Sequence, residues 1–416
     1  MSNVSESTSN EAPMSAAQWV VIGLSVLFMA LDGFDMLSIS FASSGIAAEW
    51  GINFAGLGWV LSIELFGMAV GAVFGGGISD RLGRRPVLLG CLLLTAVGMG
   101  IAGHAPDLTV LITARAITGL GIGGILVCTN SMAAEFSNAR LRTFCVALVG
   151  VGYPVGAAAG GFAVAAMLGH GGWRFIFNLG ALCALVALPL GFWLIPESPR
   201  WLARSAQGGA GVGTTARPAL RWPPALVWVC VLVTATYLLH VFSFYFMLKW
   251  IPRILTSVGY TAPQAARVLT WANVGGAIGG MTLGILAGRT RNFAVTLALL
   301  LISAAAVVAF GMNTADVGKL IPICILAGFG CNGAILGIYA IIASSFPVEQ
   351  RGMGTGIAIG VGRLGAVLAP IVAGYLLQVG LSIPLVATVM ACGSLLSVLA
   401  LCVLKRLQPL QAAAAA

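Results

Sequence analysis

Among the acidic residues and arginines of this 416-residue chain, five stand well inside long apolar runs, namely Asp32, Asp35, Glu64, Arg115 and Arg363. A charged side chain at the centre of a bilayer costs about 2.5–3.5 kcal/mol on insertion scales, so such residues are rare and mark functional sites. A carboxylate can take up and release a proton, whereas a guanidinium keeps its charge. The five residues therefore predict proton chemistry and anion binding at membrane depth.

Asp32 and Asp35 are three residues apart, which places both on one face of a helix. Two carboxylates held close together at low dielectric constant do not both ionise easily. We predict that one or both carry a coupled proton, and the alternative is a purely structural pair. Glu64 is predicted as a second protonation site or as the partner of an arginine, and the alternative is a polar contact between helices.

Arg115 and Arg363 are candidates for binding an organic anion, because a guanidinium matches a carboxylate with two parallel hydrogen bonds. We expect the substrate carboxylate to face one of them, between the two halves of the chain. For Arg115 the alternative is a conformational role. Arg363 has no basic equivalent in the other half, where Tyr153 takes the matching place, and this asymmetry favours a role in substrate binding.

Further aromatic and polar residues are predicted to line the binding cavity. These candidates are Tyr153, Phe244, Asn332 and Tyr339, with Tyr237, His240 and Tyr245 beside them in sequence or on the same predicted helices. An aromatic ring gains from stacking or edge contacts with them. For each single residue, ordinary packing between helices is the alternative.

The composition indicates that membrane-spanning helices position these residues. The chain is 59% hydrophobic and 8% charged, whereas soluble domains carry about 25% charged residues. A spanning helix needs about 20 mostly apolar residues. Twelve runs qualify, at 18–43, 56–79, 86–104, 108–134, 143–168, 174–195, 225–249, 265–288, 293–312, 319–343, 353–377 and 383–404. We predict an all-α membrane protein of twelve transmembrane helices in two pseudo-symmetric six-helix halves.

An internal repeat defines the halves. Residues 76–84 align with 284–292, and residues 150–153 align with 360–363. Repeated halves with a site at their interface are a transporter architecture. The predicted organisation is a disordered cytoplasmic N-terminus (1–17), a first half (18–197), a cytoplasmic central loop (198–224), a second half (225–404) and a cytoplasmic tail (405–416).

Loop charge predicts the orientation. Most of the 21 Lys and Arg residues fall in loops on the side that holds both termini, so that side is predicted to be cytoplasmic. The net charge of +9 follows from this bias, and we expect no nucleic acid partner. The nine cysteines form no metal-ligand spacing, and we expect no disulfide, metal or cofactor.

The loop GGISDRLGRRPVLL at 76–89 resembles the signature loop of the major facilitator superfamily. Arg115–Gly121 resembles the RxxxGxG pattern of that family, and Pro196–Leu202 (PESPRWL) resembles an element of its sugar and organic-acid porters. Within the family, three motifs resemble the aromatic acid:proton symporters. These are Asp32-Gly33-Phe34-Asp35, Trp250-Ile251-Pro252 with Gly259, and Gly362-Arg363-Leu364-Gly365-Ala366 with Pro370.

The signature loop implies gating residues. By this resemblance Asp80, Arg81, Gly83, Arg84 and Arg85 are expected to gate between inward-facing and outward-facing states, with Asp80 paired to cytoplasmic arginines. Glu135 and Arg142 are expected in the same network, where Glu135 lies near Arg140 and Arg142. The second-half copy of the loop departs from the pattern, since Gly288 stands where the first half has Asp80.

The resemblance implies import of a benzoate or hydroxybenzoate type of carboxylate by proton symport with alternating access, in a bacterial-type cytoplasmic (inner) membrane, by a monomer. The alternatives are another small organic anion, a sugar or a drug on the same fold, or a receptor that does not transport. An enzyme is not expected, because no metal spacing, catalytic triad or nucleotide-binding loop is found. The glycine run at 119–124 lies within a span rather than after a strand.

Overall fold

The computed structural model of the protein describes residues 13–206, 223–287, 292–314, 316–347 and 350–414, and every regular element in these ranges is a helix. Twelve helical segments in them are long and apolar enough to cross a membrane. The predicted number of spans and the all-α class are therefore confirmed. Residues 1–12, most of the central loop and the repeat positions 288–291 lie outside the described residues, so the predicted disorder of the N-terminus stays a prediction.

Thirteen helices occupy the described ranges. They are α1 Ala16–Trp50, α2 Phe54–Leu82, α3 Arg84–Gly103, α4 Leu108–Phe136, α5 Arg142–Leu194, α6 Pro199–Ala206, α7 Pro224–Ser257, α8 Ala262–Ala287, α9 Asn292–Met312, α10 Val317–Ser344, α11 Arg351–Gly362, α12 Leu364–Gln378 and α13 Ile383–Ala414.

Two positions depart from regular helix, one between two predicted spans at Gly172 and one inside a predicted span at Arg363. The predicted spans 143–168 and 174–195 correspond to two helical parts of α5, Phe144–Met167 and Gly172–Leu194, and the kink between them has the non-helical residue Gly172, whose φ of 64° suits glycine. The single span predicted at 353–377 corresponds to α11 and α12 together, which form one apolar segment, Met353–Gln378, with a single turn residue at Arg363 between them.

Glycines let α1 and α5 approach each other closely. A Cβ atom added at Gly33 would overlap the carbonyl of Tyr153, and one added at Gly156 would overlap the carbonyl of Ala30. Small residues allow such backbone contact between membrane helices. The backbone of residues 32–35 in α1 therefore lies in direct contact with the backbone of α5.

The contacts divide the chain into two compact units. The first contains Met1–Ser38, Ile63–Gly160 and Arg174–Pro218, and the second contains Ile39–Ser62, Gly161–Trp173 and Ala219–Ala416. The units differ from the predicted halves, because the end of α1, the start of α2 and part of α5 belong to the second unit. Within it, α2 packs directly on α12, since a Cβ atom at Gly58 would meet the Pro370 carbonyl at 2.6 Å.

Candidate functional site

A buried ion-pair cluster joins α1, α2 and α4 in the first unit. The Nη1 atom of Arg115 lies 2.8 Å from Asp35 Oδ1, and its Nη2 atom lies 2.7 Å from Glu64 Oε1. The Arg115 and Glu64 side chains are fully buried, and the Asp35 side chain is 2% exposed. The prediction that Glu64 partners an arginine is therefore confirmed as a contact, and we call these residues with Asp32 the acidic cluster.

Close packing fixes the cluster. A Cβ atom at Gly119 on α4 would overlap the Glu64 carbonyl on α2, so the two backbones touch beside the ion pair. The Phe177 ring lies 5.3 Å from the Arg115 guanidinium carbon. The Ser38 hydroxyl donates to the carbonyl of Asp35 at 2.6 Å and contacts its Oδ1 atom at 3.3 Å. This packing leaves the charges little freedom to rearrange.

Asp32 adds a third carboxyl group to the cluster. Its side chain is 2% exposed, and it lies within electrostatic range of Asp35 and Glu64. Among the described residues its Oδ1 atom has no hydrogen-bond partner. Two of the three carboxyl groups thus pair with the one guanidinium and the third does not, and buried negative charge without compensation favours the uptake of a proton.

Arg115 directs its guanidinium to acidic groups of the protein. Besides the two ion pairs, Nη2 donates to the backbone carbonyl of Asp35 at 3.2 Å. These contacts favour the charge-balancing role of Arg115 over the predicted contact with a substrate carboxylate. The substrate assignment of this residue stays a prediction.

A second arginine cluster lies in the second unit, where Arg363 sits between α11 and α12. Its guanidinium approaches the hydroxyl of Tyr237, and Tyr339 and Tyr245 lie within electrostatic range. The hydroxyls of Tyr237 and Tyr339 are 2.8 Å apart. The Nη1 atom of Arg363 is buried and has no hydrogen-bond partner in the described part of the chain. We call these four residues the tyrosine cluster.

The other cavity candidates are distributed differently. Phe244 packs edge-on against Tyr245 with ring centroids 5.2 Å apart, which places it next to the tyrosine cluster. Asn332 donates to the carbonyl of Gly276 at 2.9 Å, so its amide joins α10 to α8. Tyr153 belongs to the first unit, where its carbonyl meets Gly33. Of the predicted substrate residues, only Arg363, Tyr339 and Phe244 are brought to the tyrosine cluster by described contacts.

His240 is fully buried and is held by two polar contacts. Its Nε2 atom lies 2.9 Å from the carbonyl of Cys331, so Nε2 carries a hydrogen, and its Nδ1 atom lies 3.0 Å from the hydroxyl of Ser394. Buried polar groups paired in this way link helices. The packing role is therefore favoured over exposure to a cavity.

The predicted gating residues form a polar network around Arg84. Its Nε atom lies 2.8 Å from Glu135 Oε1, and its Nη2 atom lies 3.2 Å from Asp80 Oδ1. The expected pairing of Asp80 with an arginine is confirmed. Glu135 was expected beside Arg140 and Arg142, but its described contacts are with Arg84 and the Ser198 hydroxyl. Arg84 reaches Glu135 from another helix, so this contact was not visible from neighbours in sequence, and the nearness of Arg140 and Arg142 stays a prediction.

The remaining gating candidates differ in exposure. The Nη2 atom of Arg85 donates to the Phe192 carbonyl at 2.6 Å. Arg81 is exposed at the end of α2, and Arg142 begins α5. Neither makes a described contact with the Arg84 network.

Sequence reasoning assigned no role to Glu197, which contacts the start of α3. Its Oε1 atom accepts hydrogen bonds from the backbone N–H groups of Arg84 at 2.8 Å and Arg85 at 3.2 Å. A carboxylate there satisfies unpaired N–H groups and complements the helix dipole. Gly83 makes this possible, because it has a φ of 103° and a Cβ atom would overlap the Glu197 carboxylate. The PESPR motif was the signal available.

Lys249 is a second charged residue that sequence reasoning misplaced. The predicted span 225–249 ends at this residue, but α7 continues to Ser257 and Lys249 is fully buried within it. The neighbouring Trp250 is also fully buried, and its Nε1 atom donates to the Pro370 carbonyl at 3.2 Å. The apolar run of α7 therefore extends past its first charge.

Comparison with known proteins gives consistent matches over the whole chain. A sequence profile described as the Major Facilitator Superfamily matches residues 23–335 and 251–415. The chain is 28% identical to a gallate transporter of Pseudomonas putida, across 94% of this chain and 92% of that protein. It is 30% identical to the 3-(3-hydroxy-phenyl)propionate transporter of Escherichia coli K12, across 97% of this chain and 99% of that protein.

The fold is similar to that of a solved transporter. The crystal structure of a D-xylose-proton symporter superimposes with a TM-score of 0.72 at 18% sequence identity, and the match covers 92% of this chain and 97% of that one. At this identity the likeness concerns the fold alone. It agrees with the twelve membrane helices described above.

Proposed function

The chain belongs to the major facilitator superfamily, and from that premise we propose that it imports an aromatic carboxylate of the benzoate or hydroxybenzoate class by proton symport with alternating access. It is an integral multi-pass membrane protein and a transporter rather than an enzyme. The substrate class is supported by relatives that carry gallate and 3-(3-hydroxy-phenyl)propionate. The observation that carries the coupling is the acidic cluster, in which two buried carboxylates pair with one arginine and a third buried carboxyl group, that of Asp32, lies beside them.

The proton is assigned to Asp32. Asp35 and Glu64 are each held by Arg115, so their negative charge is partly compensated. Asp32 is buried beside them with an unpartnered oxygen. Protonation of Asp32 removes the charge that the protein compensates least, and release of the proton restores it. A carboxyl group in that position is suited to exchange a proton during each transport cycle.

The substrate is assigned to the tyrosine cluster. Arg363 offers a buried Nη1 atom without a partner, which suits a carboxylate. Tyr237, Tyr339 and the Phe244–Tyr245 pair supply aromatic faces and edges next to it. Aromatic groups prefer edge-to-face or offset contacts with a ring. An anion carried on an aromatic ring satisfies both kinds of group at once.

The Arg84 network is proposed as a gate. Asp80, Arg84, Glu135 and Glu197 tie the ends of α2, α3 and α4 to the segment after α5. Breaking and remaking charge contacts of this kind separates two discrete arrangements of packed helices. The excess of arginine in these loops supports a cytoplasmic position for them and for both termini, in a bacterial inner membrane.

The test is uptake by membrane vesicles that contain the protein, with and without an imposed pH gradient. We expect accumulation of benzoate or 4-hydroxybenzoate that requires a gradient acidic on the outside, and no accumulation of D-xylose or of an aromatic cation. Accumulation of the sugar, or aromatic-acid uptake that does not respond to the pH gradient, would contradict the proposal. Vesicles without the protein correct for passive entry of the neutral acids.

A further inference from the structure

The hydroxyl pair of the tyrosine cluster has a defined hydrogen-bond direction. The 2.8 Å distance between the Tyr237 and Tyr339 oxygens leaves open which hydroxyl donates, and the surroundings of the pair decide it. The Tyr237 side chain is 4% exposed, and in the described part of the chain its hydroxyl contacts Tyr339 and the Arg363 guanidinium. If Tyr339 donated, the hydrogen of Tyr237 would be buried facing a cation without an acceptor, and a buried unsatisfied donor is costly.

The positive charge of Arg363 selects the same direction. A guanidinium has donors only, so it attracts the Tyr237 oxygen and turns the hydroxyl hydrogen away from itself. That hydrogen then points to the oxygen of Tyr339. Hydrogen bonds in such a chain polarise one another, which strengthens the next donor. The hydroxyl hydrogen of Tyr339, whose side chain is only partly buried, remains for a group outside the pair.

Two unused donors therefore belong to one cluster, the Nη1 atom of Arg363 and the hydroxyl of Tyr339. A carboxylate has two oxygens that accept hydrogen bonds and no donor. We propose that Tyr339 is a specificity-determining residue that donates its hydroxyl hydrogen to the substrate carboxylate beside Arg363, and that Tyr237 is the residue that orients it. This inference rests on the proposed function. It assigns the binding of the substrate carboxylate to two residues, Tyr339 on α10 and Arg363 between α11 and α12.

The position of Tyr237 is fixed by a glycine. A Cβ atom at Gly362 would overlap the Tyr237 ring, so the ring lies directly on the backbone one residue before Arg363. The ring pair of Tyr237 and Tyr339 has centroids 5.3 Å apart at 47°. This contact keeps the hydroxyl of Tyr237 between the guanidinium and Tyr339. The arrangement favours the substrate carboxylate, rather than a substituent elsewhere on the substrate ring, as the acceptor of the Tyr339 hydroxyl hydrogen.

The test measures Kd of the purified protein for benzoate and for 4-hydroxybenzoate. We expect Tyr339→Phe to raise Kd about tenfold or more, because a hydrogen bond to a charged group is lost. The factor should be similar for the two acids, because both carry the carboxylate. Tyr375→Phe, which removes a hydroxyl from a 62% exposed side chain of α12, is the matched control and should leave both Kd values unchanged.

The orienting role of Tyr237 is tested by a double-mutant cycle. Tyr237→Phe should raise Kd alone, but it should add little in the Tyr339→Phe background, because both act through one hydrogen bond. A purely structural effect would add fully in both backgrounds and would overturn the orienting role.

Two further outcomes separate this inference from the proposed function. If the unmodified protein binds neither acid, the proposed function and this inference both fall. If it binds both acids and Tyr339→Phe leaves Kd unchanged, or weakens only 4-hydroxybenzoate, the carboxylate role of Tyr339 falls while the proposed function stands.

Discussion

The acidic cluster and the tyrosine cluster are both built on a buried arginine, but the partners differ. Arg115 is enclosed by the carboxylates of Asp35 and Glu64. Arg363 faces neutral tyrosines and keeps a buried Nη1 atom without a partner. A guanidinium already matched by protein carboxylates stabilises a site that exchanges protons. A guanidinium that has no protein carboxylate beside it is available to bind the carboxylate of a substrate.

The difference predicts opposite consequences for the same substitution. Arg115→Ala leaves two buried carboxylates without a counter-charge, and breaking a buried ion pair costs about 3–5 kcal/mol. Arg363→Ala removes a cation among neutral groups and should cost much less stability. Thermal unfolding of the purified variants in detergent measures both. Equal losses of stability would show that the two arginines do not differ as described.

The second prediction concerns affinity. Arg363→Ala should weaken binding of an aromatic carboxylate about 10- to 100-fold, because it removes a hydrogen bond of about 1.5–3 kcal/mol to a charged group. The measurement is Kd for 4-hydroxybenzoate. Arg253→Ala is the matched control, because Arg253 also lies over an aromatic ring, that of Phe54 at 5.1 Å, outside the tyrosine cluster. A wild-type Kd for Arg363→Ala would remove the substrate role from this cluster.

The smallest effect is expected outside both clusters, at Gly83. Gly83→Ala places a side chain at a φ of 103° and a ψ of 155° against the Glu197 carboxylate, and a non-glycine residue in this backbone region costs about 1–3 kcal/mol. We expect slower uptake with unchanged Kd and unchanged dependence on the pH gradient. Gly90→Ala, where a Cβ atom meets nothing within 4 Å, is the control. An altered Kd would mean that the gate also shapes the binding site.

Much of the fold follows from the sequence because apolar runs separated by polar loops determine it. The twelve spans needed only length and hydropathy. The single turn residue at Arg363, inside the predicted span 353–377, was not predicted, since local departures within a membrane helix depend on neighbouring helices. The continuation of α7 past Lys249 was missed for a similar reason, because burial of a charge depends on tertiary packing that a run of residues does not reveal.

The candidate site was predicted in its residue types, but most of its pairings were not predicted. Scarcity of charge singled out Asp32, Asp35, Arg115 and Arg363 correctly as buried or half-buried groups. The ion pair between Arg115 and Asp35 joins residues 80 positions apart, and spacing along the chain does not encode such a contact. Glu197 likewise contacts residues more than a hundred positions away.

The central claim is that protons and substrate are handled by different clusters, and Asp32→Asn tests it most directly. The measurement compares 4-hydroxybenzoate exchange across vesicles at equal pH with accumulation driven by a pH gradient. We predict that the variant keeps exchange and loses accumulation, while Asp316→Asn, at an exposed helix N-cap, keeps both. Normal gradient-driven accumulation by Asp32→Asn would contradict the account.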